Sequence, residues 1–258
     1  MIDFSKYFNG KKGFIPFITC GDPSIDDTYN FVIELIKAGS TLIELGIPFS
    51  DPTAEGKTIE KADVRALSAG CTTDKIFDMI KKIRIDYPDF PLLFMTYCNP
   101  VHTYGYERFF RKCHELNMVG IIIPDLPFEE KGEISEYCKK YNIANISLIA
   151  PTSKERIKMI ASEAEGFVYL VSSLGVTGMR NKITTDVDAI AKEIKKYTNI
   201  PVCVGFGIKS KESAKAMVNV SDGAIIGSAI VNIIEEHKEN SAKYVYEFAS
   251  SIVEAINN

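Results

Sequence analysis

The stretch TLIELGIPFSDP, residues 41–52, starts as a short apolar strand and breaks into a loop bounded by prolines. A strand so nearly continuous in apolar residues belongs to a parallel sheet buried on both faces. Alternation puts Leu42 and Glu44 on one face and Ile43 and Leu45 on the other. Similar runs recur at FIPFIT (14–19), PLLFMT (91–96), VGIII (119–123), NISLIA (145–150), FVYLVS (167–172), PVCVG (201–205) and GAIIG (223–227). Between them lie amphipathic stretches such as DDTYNFVIELIKAG, KIFDMIKKIRID and AIAKEIKKY, apolar at every third or fourth position. Eight strand–helix units in 258 residues predict an α/β fold, a single (β/α)8 TIM barrel over residues 1–258, rather than an open doubly wound sheet. MIDFSKYF predicts a short N-terminal helix covering the barrel's far end, and SAKYVYEFASSIVEAI a closing helix. No linker or second domain interrupts the rhythm.

With 46% hydrophobic and 25% charged residues, the chain can bury a large core without disulfides or metal. Its 30 basic and 34 acidic residues are intermixed, leaving a net charge of -4 and no basic block for nucleic acid or an anionic membrane. Any bound anion must be held by a local site. Cys20, Cys71, Cys98, Cys113, Cys138 and Cys203 form no C-x-x-C pair, and the N-terminus lacks the apolar core of a signal peptide, so the expected compartment is a reducing cytoplasm. No apolar run approaches the roughly 18 residues of a membrane span. His102, His114 and His237 stand far apart, which predicts no metal site.

Extra residues gather after the second strand (46–71) and after the sixth (173–187). Connections at the strands' C-terminal ends carry the active site of such barrels. If Ile43 and Leu45 pack on the helices, Glu44 points into the barrel near that rim. An enclosed carboxylate resists ionisation, which moves its pKa toward the range useful for exchanging protons; paired with Lys or Arg it is structural instead. Glu55, beside Gly56, reads as a solvated acid or as a second carboxylate across a pocket from Glu44. Asp51-Pro52 reads as a turn. Asp125, closing the fourth strand in GIIIPDLP, is a rim acid or a strand stop. Tyr97 and Tyr169 are polar handles for an aromatic substrate or ordinary core.

Glycine-containing stretches follow the last three strands: SSLGVTGMR (172–180), VGFGIKS (204–210) and IIGSAIV (225–231). Glycine lets backbone N–H groups approach an anion, and a helix starting after Gly227-Ser228 aims its positive end there. Loops after strands seven and eight are the recurrent phosphate position. Gly207, Gly227 and Ser228, with the Thr177-Gly178 segment, therefore predict a phosphate cradle; plain turn glycines are the alternative.

IELGIPFSDPTAEG, followed in order by GIIIPDLP, IAPTS, VYLVSSLGVTGMR, VGFGIKS and AIIGSAIV, resembles the tryptophan synthase alpha subunit family over nearly the whole chain. The resemblance implies a lyase of tryptophan biosynthesis that splits indole-3-glycerol phosphate into indole and glyceraldehyde 3-phosphate by a retro-aldol reaction, without metal or organic cofactor. It assigns acid/base work to Glu44 and stabilisation of the indole N–H to Glu55. It implies that Asp125 helps position the second loop, that Phe17 and Tyr97 lie near the indole pocket and Tyr169 near the catalytic Glu, and that Thr177 closes over the substrate. A partner is implied too: a beta subunit in an alpha2-beta2 heterotetramer, receiving indole through a tunnel and facing the second-strand connection and residues 99–104. The family text x-A-D-G-P-x-I-Q after S-D-P differs here: Thr53, Ala54, Glu55, Gly56, Lys57, Thr58, Ile59, Glu60. Glu for Asp keeps the charge but displaces it by roughly an ångström. Two rival expectations are a partner protein that mainly activates a beta subunit, and another phosphosugar lyase or isomerase on the same barrel.

Overall fold

A computed structural model describes residues 2–171, 180–205 and 207–258, with the backbone alone described over 180–186. The strands are β1 (Gly13–Thr19), β2 (Ile43–Gly46), β3 (Leu92–Met95), β4 (Gly120–Ile122), β5 (Ala144–Asn145 and Ser147–Ile149), β6 (Val168–Val171), β7 (Val202–Gly205) and β8 (Gly223–Ile226). The helices are α1 (Ser5–Phe8), α2 (Ile25–Lys37), α3 (Lys57–Ser68), α4 (Thr73–Asp86), α5 (Cys98–Tyr104), α6 (Tyr106–Glu115), α7 (Gly132–Tyr141), α8 (Lys154–Ser162), α9 (Arg180–Ile194), α10 (Lys211–Val218), α11 (Ser228–His237) and α12 (Ser241–Asn257).

Each strand pairs in parallel with its neighbours in chain order, and β1 also pairs with β8, from Gly13↔Gly223 to Pro16↔Ile226. The ring closes through β5. Its first piece pairs with β4, its second with β6, and only Ile146 separates them. The result is the expected (β/α)8 barrel.

Side chains separate by strand alternation. Phe17, Leu42, Leu93, Tyr169, Cys203 and Ile225 form one buried cluster inside the ring. Ile43, Leu45, Phe94, Ile121 and Ile226 pack outward in a second cluster shared with the helices. Helix α1 and the residues before it plug the N-terminal end: Phe4 and Phe8 join the interior cluster, and the Phe4 N–H donates to the Gly166 carbonyl at 3.1 Å. A Cβ on Gly13 would lie 2.4 Å from the Phe8 ring, so the bare glycine admits the plug.

Two details differ from the sequence reading. The run 145–150 is interrupted rather than continuous, where outward-facing Asn145 and Ser147 are only half-buried and do not complete the apolar layer. Two helices, not one, link β3 to β4, meeting at Gly105, whose φ of 90° suits glycine.

Candidate active site

Glu44 stands in β2 with Phe17 of β1 and Leu93 of β3 as its register partners. Its neighbours Ile43 and Leu45 take the outward positions, which forces its side chain inward, as the alternation predicted. It is fully buried, and among the described residues neither carboxyl oxygen has a hydrogen-bond partner. Burial, and then the charge of Glu55, raise its pKa well above the usual carboxylate range. Among the described residues it has no basic partner, and its burial favours the protonated form.

The connection after β2 brings up the second acid. The Ala54 N–H donates to the Tyr97 hydroxyl at 3.0 Å, and the Phe49 and Tyr97 rings sit 5.5 Å apart, so Tyr97 anchors the loop just before Glu55. Gly56 then caps α3 in extended conformation. Glu55 is half-buried, not the solvated tip acid of one sequence reading. Burial pushes its pKa up to about 7; the Tyr97 O–H opposes this and Glu60 adds to it.

Phe17, Glu44, Glu55 and Tyr169 share a cavity of about 140 Å³ with Gly207, Gly227 and Ser228. Seven of the sequence candidates thus converge on one space. Tyr169 needs Gly205 in the next strand: a Cβ there would lie 2.3 Å from the Tyr169 hydroxyl. Gly46 likewise makes room for the Phe17 ring, 2.6 Å from where its Cβ would be. On the opposite side, α11 starts at Ser228 behind Gly227, with no side-chain cap. The first N–H groups of a helix lack intrahelical partners, and its dipole favours an anion there. Gly207 faces the same space with φ 76°, a conformation other residues rarely adopt.

Tyr97 and Asp125 do not line the cavity; they hold its frame. Asp125 accepts the Cys98 N–H at 3.0 Å at the start of α5, directly after Tyr97, which in turn grips the loop at Ala54. Thr177 and Gly178 lie outside the described residues.

Sequence reasoning missed two residues. Asp63, on α3, is only 6% exposed, and its pKa is pushed up to about 8 by burial and then by Glu55, against the Phe49 N–H. An acid between Ala62 and Ala66 on the apolar stripe of a helix was the available signal. Lys209 lines the cavity beside Gly207 and was read only as part of a glycine turn.

Chemically, a buried proton-holding carboxyl, a second acid with a pKa near neutrality and an anion-receptive helix start surround one small cavity at the C-terminal rim. That defines the class: a (β/α)8 barrel with an acid/base site fitted to a small anionic molecule. The comparisons with known proteins make the class specific. The family model "Tryptophan synthase alpha chain" matches residues 4–257. The tryptophan synthase alpha chain of Lacticaseibacillus casei is 43% identical over 257 residues, covering 100% of this chain and 96% of the relative. That of Methanocaldococcus jannaschii is 44% identical, covering 91% and 83%. Among solved structures, the tryptophan synthase alpha subunit from Legionella pneumophila superposes with a TM-score of 0.91 at 35% identity, covering 100% of this chain and 99% of that one. A chain of the tryptophan synthase complex from Pyrococcus furiosus gives 0.83 at 31%, covering 95% and 99%.

The chain belongs to the tryptophan synthase alpha chain family and is a lyase of tryptophan biosynthesis. The family is the alpha subunit of the tryptophan synthase complex. Among the described residues, no helix is long and apolar enough to cross a membrane.

Proposed function

We propose that this chain cleaves indole-3-glycerol phosphate to indole and glyceraldehyde 3-phosphate with Glu44 as the general acid and base. The observation that carries the reading is a fully buried carboxyl with no partner on either oxygen, facing a cavity whose far side is the start of α11. In the first half of the reaction, protonated Glu44 gives its proton to C3 of the indole ring, and positive charge appears at the ring nitrogen. Glu55, ionised, accepts the ring N–H and stabilises that charge. In the second half, the Glu44 carboxylate takes the proton of the side-chain hydroxyl on the carbon attached to C3. The carbon–carbon bond breaks, its electrons return to the ring, and the hydroxyl carbon becomes the aldehyde. Glu44 ends protonated, so no proton is consumed.

Phosphate at Gly207, Gly227 and Ser228 supplies binding energy remote from the breaking bond, which fixes that bond over Glu44. Thr177 and Gly178 are assigned to the same cradle from the sequence alone. Asp125 and Tyr97 act by holding the loop that carries Glu55. The released indole passes to a beta subunit, in an alpha2-beta2 assembly, in the cytoplasm.

The test is indole release from indole-3-glycerol phosphate by the purified chain, alone and with a tryptophan synthase beta subunit. Turnover that rises with the partner supports the reading. Negligible turnover in both leaves the partner-protein reading, and equal inhibition by indole-propanol phosphate and bare propyl phosphate points to another phosphosugar enzyme.

A further inference from the structure

Asp22 closes the β1 connection in TCGDP, a stretch the proposed chemistry leaves without a task. Its side chain is 2% exposed, and its two oxygens accept from Nε and Nη2 of Arg65, each at 2.8 Å. The third arm of the same guanidinium, Nη1, donates to Oε1 of Glu235 at 3.1 Å. The three residues come from three different elements. Asp22 follows the strand carrying Phe17, Arg65 lies in α3, and Glu235 lies in α11.

The two helices are the ones that open on the catalytic cavity: Gly56 and Ile59 at the start of α3, Gly227 and Ser228 at the start of α11. At 1.5 Å per residue, Arg65 stands roughly 14 Å behind Gly56 and Glu235 roughly 10 Å behind Ser228. A planar, fork-shaped donor with all three arms engaged fixes angles as well as distances, which an ammonium does not. We infer that Arg65 is a positioning residue, a clamp through Asp22 and Glu235 that couples occupation of the phosphate cradle on α11 to the placement of Glu55 ahead of α3. Tied near their far ends, the two helices lose part of their freedom to move independently at their near ends. Phosphate seated on α11 therefore restricts where α3 presents the second carboxylate.

This inference rests on the lyase reading, and its test keeps the two separable. Indole and glycerol 3-phosphate serve as probes of the two halves of the site, titrated singly and together against the full-length chain by calorimetry. In the wild type, glycerol 3-phosphate tightens indole binding about fivefold or more, and indole tightens glycerol 3-phosphate by the same factor. Two variants are compared. Glu235→Ala removes the acceptor, cutting only the exposed arm to α11, and leaves the buried Asp22 pair intact. Arg65→Lys keeps the charge and removes the fork.

Both variants bind glycerol 3-phosphate alone as the wild type does, lose at least half of the coupling factor, and turn over indole-3-glycerol phosphate with lower kcat at little-changed KM. Arg65→Lys loses more than Glu235→Ala. A residue with only a structural role moves the melting temperature and not the coupling. Wild-type coupling factors and kcat in Glu235→Ala and in a folded Arg65→Lys, or no coupling in the wild type itself, overturn the clamp while leaving the lyase reading in place. Absence of turnover in the wild type instead removes the lyase reading.

Discussion

Glu44→Gln is the most demanding test of the site, because activity and stability are expected to move in opposite directions. Glutamine has nearly the same shape and fits between Phe17 and Leu93, so the barrel interior is not opened. It cannot carry the proton. General acid–base catalysis by one side chain contributes about 10²–10⁴-fold. Glu44 is assigned two transfers in one turnover, which sets the expected loss in kcat at about 10³-fold or more, or roughly 4 kcal/mol in the barrier. Stability follows from linkage. The folded pKa of Glu44 is raised above 4.5, the value of a free Glu. Between those two values the folded chain holds a proton that the unfolded chain has lost, so the favourable contribution is complete at acid pH and is lost as pH rises toward the folded pKa. Glutamine has no such loss. The variant's melting temperature relative to wild type should climb as pH rises from 4.5 toward the folded pKa of Glu44, where the wild type loses its proton-linked stabilisation. Indole release by a spectrophotometric assay and thermal melts across that range check both halves. A variant that keeps kcat within about tenfold of wild type, or whose relative stability falls with rising pH, refutes the reasoning.

The other acids give sharper pH signatures. Glu55→Ala should lower kcat/KM by about 10²–10³-fold, as loss of one well-aimed stabilising group does, and weaken binding of indole-propanol phosphate; unchanged values in both assays remove its role. Because Glu55 must be ionised and has its pKa raised to about 7, kcat/KM should rise with pH through that value. Glu60→Gln, which removes a repelling charge, should move this limb to lower pH, and Tyr97→Phe, which removes a stabilising donor, to higher pH. Gly205→Ala places a methyl group 2.3 Å from the Tyr169 hydroxyl, and should cost about 1–3 kcal/mol in a denaturant melt together with a loss of activity, whereas Gly56→Ala, with open space around its Cβ, should cost far less. Binding of glycerol 3-phosphate should draw protons from solution at about pH 7, read as a dependence of the calorimetric heat on buffer ionisation enthalpy, because an added anion strengthens proton binding by the neighbouring acids.

The barrel was legible because each strand had to be buried on two faces, and the sequence shows that as uniform apolar runs with a single charged exception at Glu44. Which way Glu44 points followed from Ile43 and Leu45 alone. That Gly207, Gly227 and Ser228 meet at one space was legible from the glycine turns after the last two strands. What stayed hidden depends on contacts distant in the chain. Tyr97 looked like a pocket residue, yet it acts on the loop through Ala54, 43 residues earlier, and no local pattern encodes that pairing. Asp63 was masked by an otherwise ordinary helix. The break in β5 was masked for a different reason: NISLIA has strand composition, and only its half-buried Asn145 and Ser147 betray where the wall loses its apolar backing.

The charge balance of the site explains why its acids are buried so unequally. Glu44 is sealed in the barrel, Glu55 is half-exposed on a loop, and Asp63 lies behind that loop on α3. The same carboxyl group therefore meets three different solvation costs. The deepest acid has its pKa raised well above the usual carboxylate range, which fits the proposed donor, whereas Glu55, with Tyr97 opposing its burial, fits the proposed anion that meets charge developing on the ring. Uniformly exposed acids would all be ionised and repel the incoming phosphate; uniformly buried ones would all be protonated and offer nothing to the ring nitrogen. Asp63 adds a further reason for Glu60 and Glu55 to remain on the solvent side, since a third full charge within the same helix start would strengthen proton binding by all of them. The longer side chain at position 55 fits this arrangement: an added methylene lets the carboxylate reach the cavity while its backbone stays on the exposed loop, so reach replaces burial as the way to aim the charge.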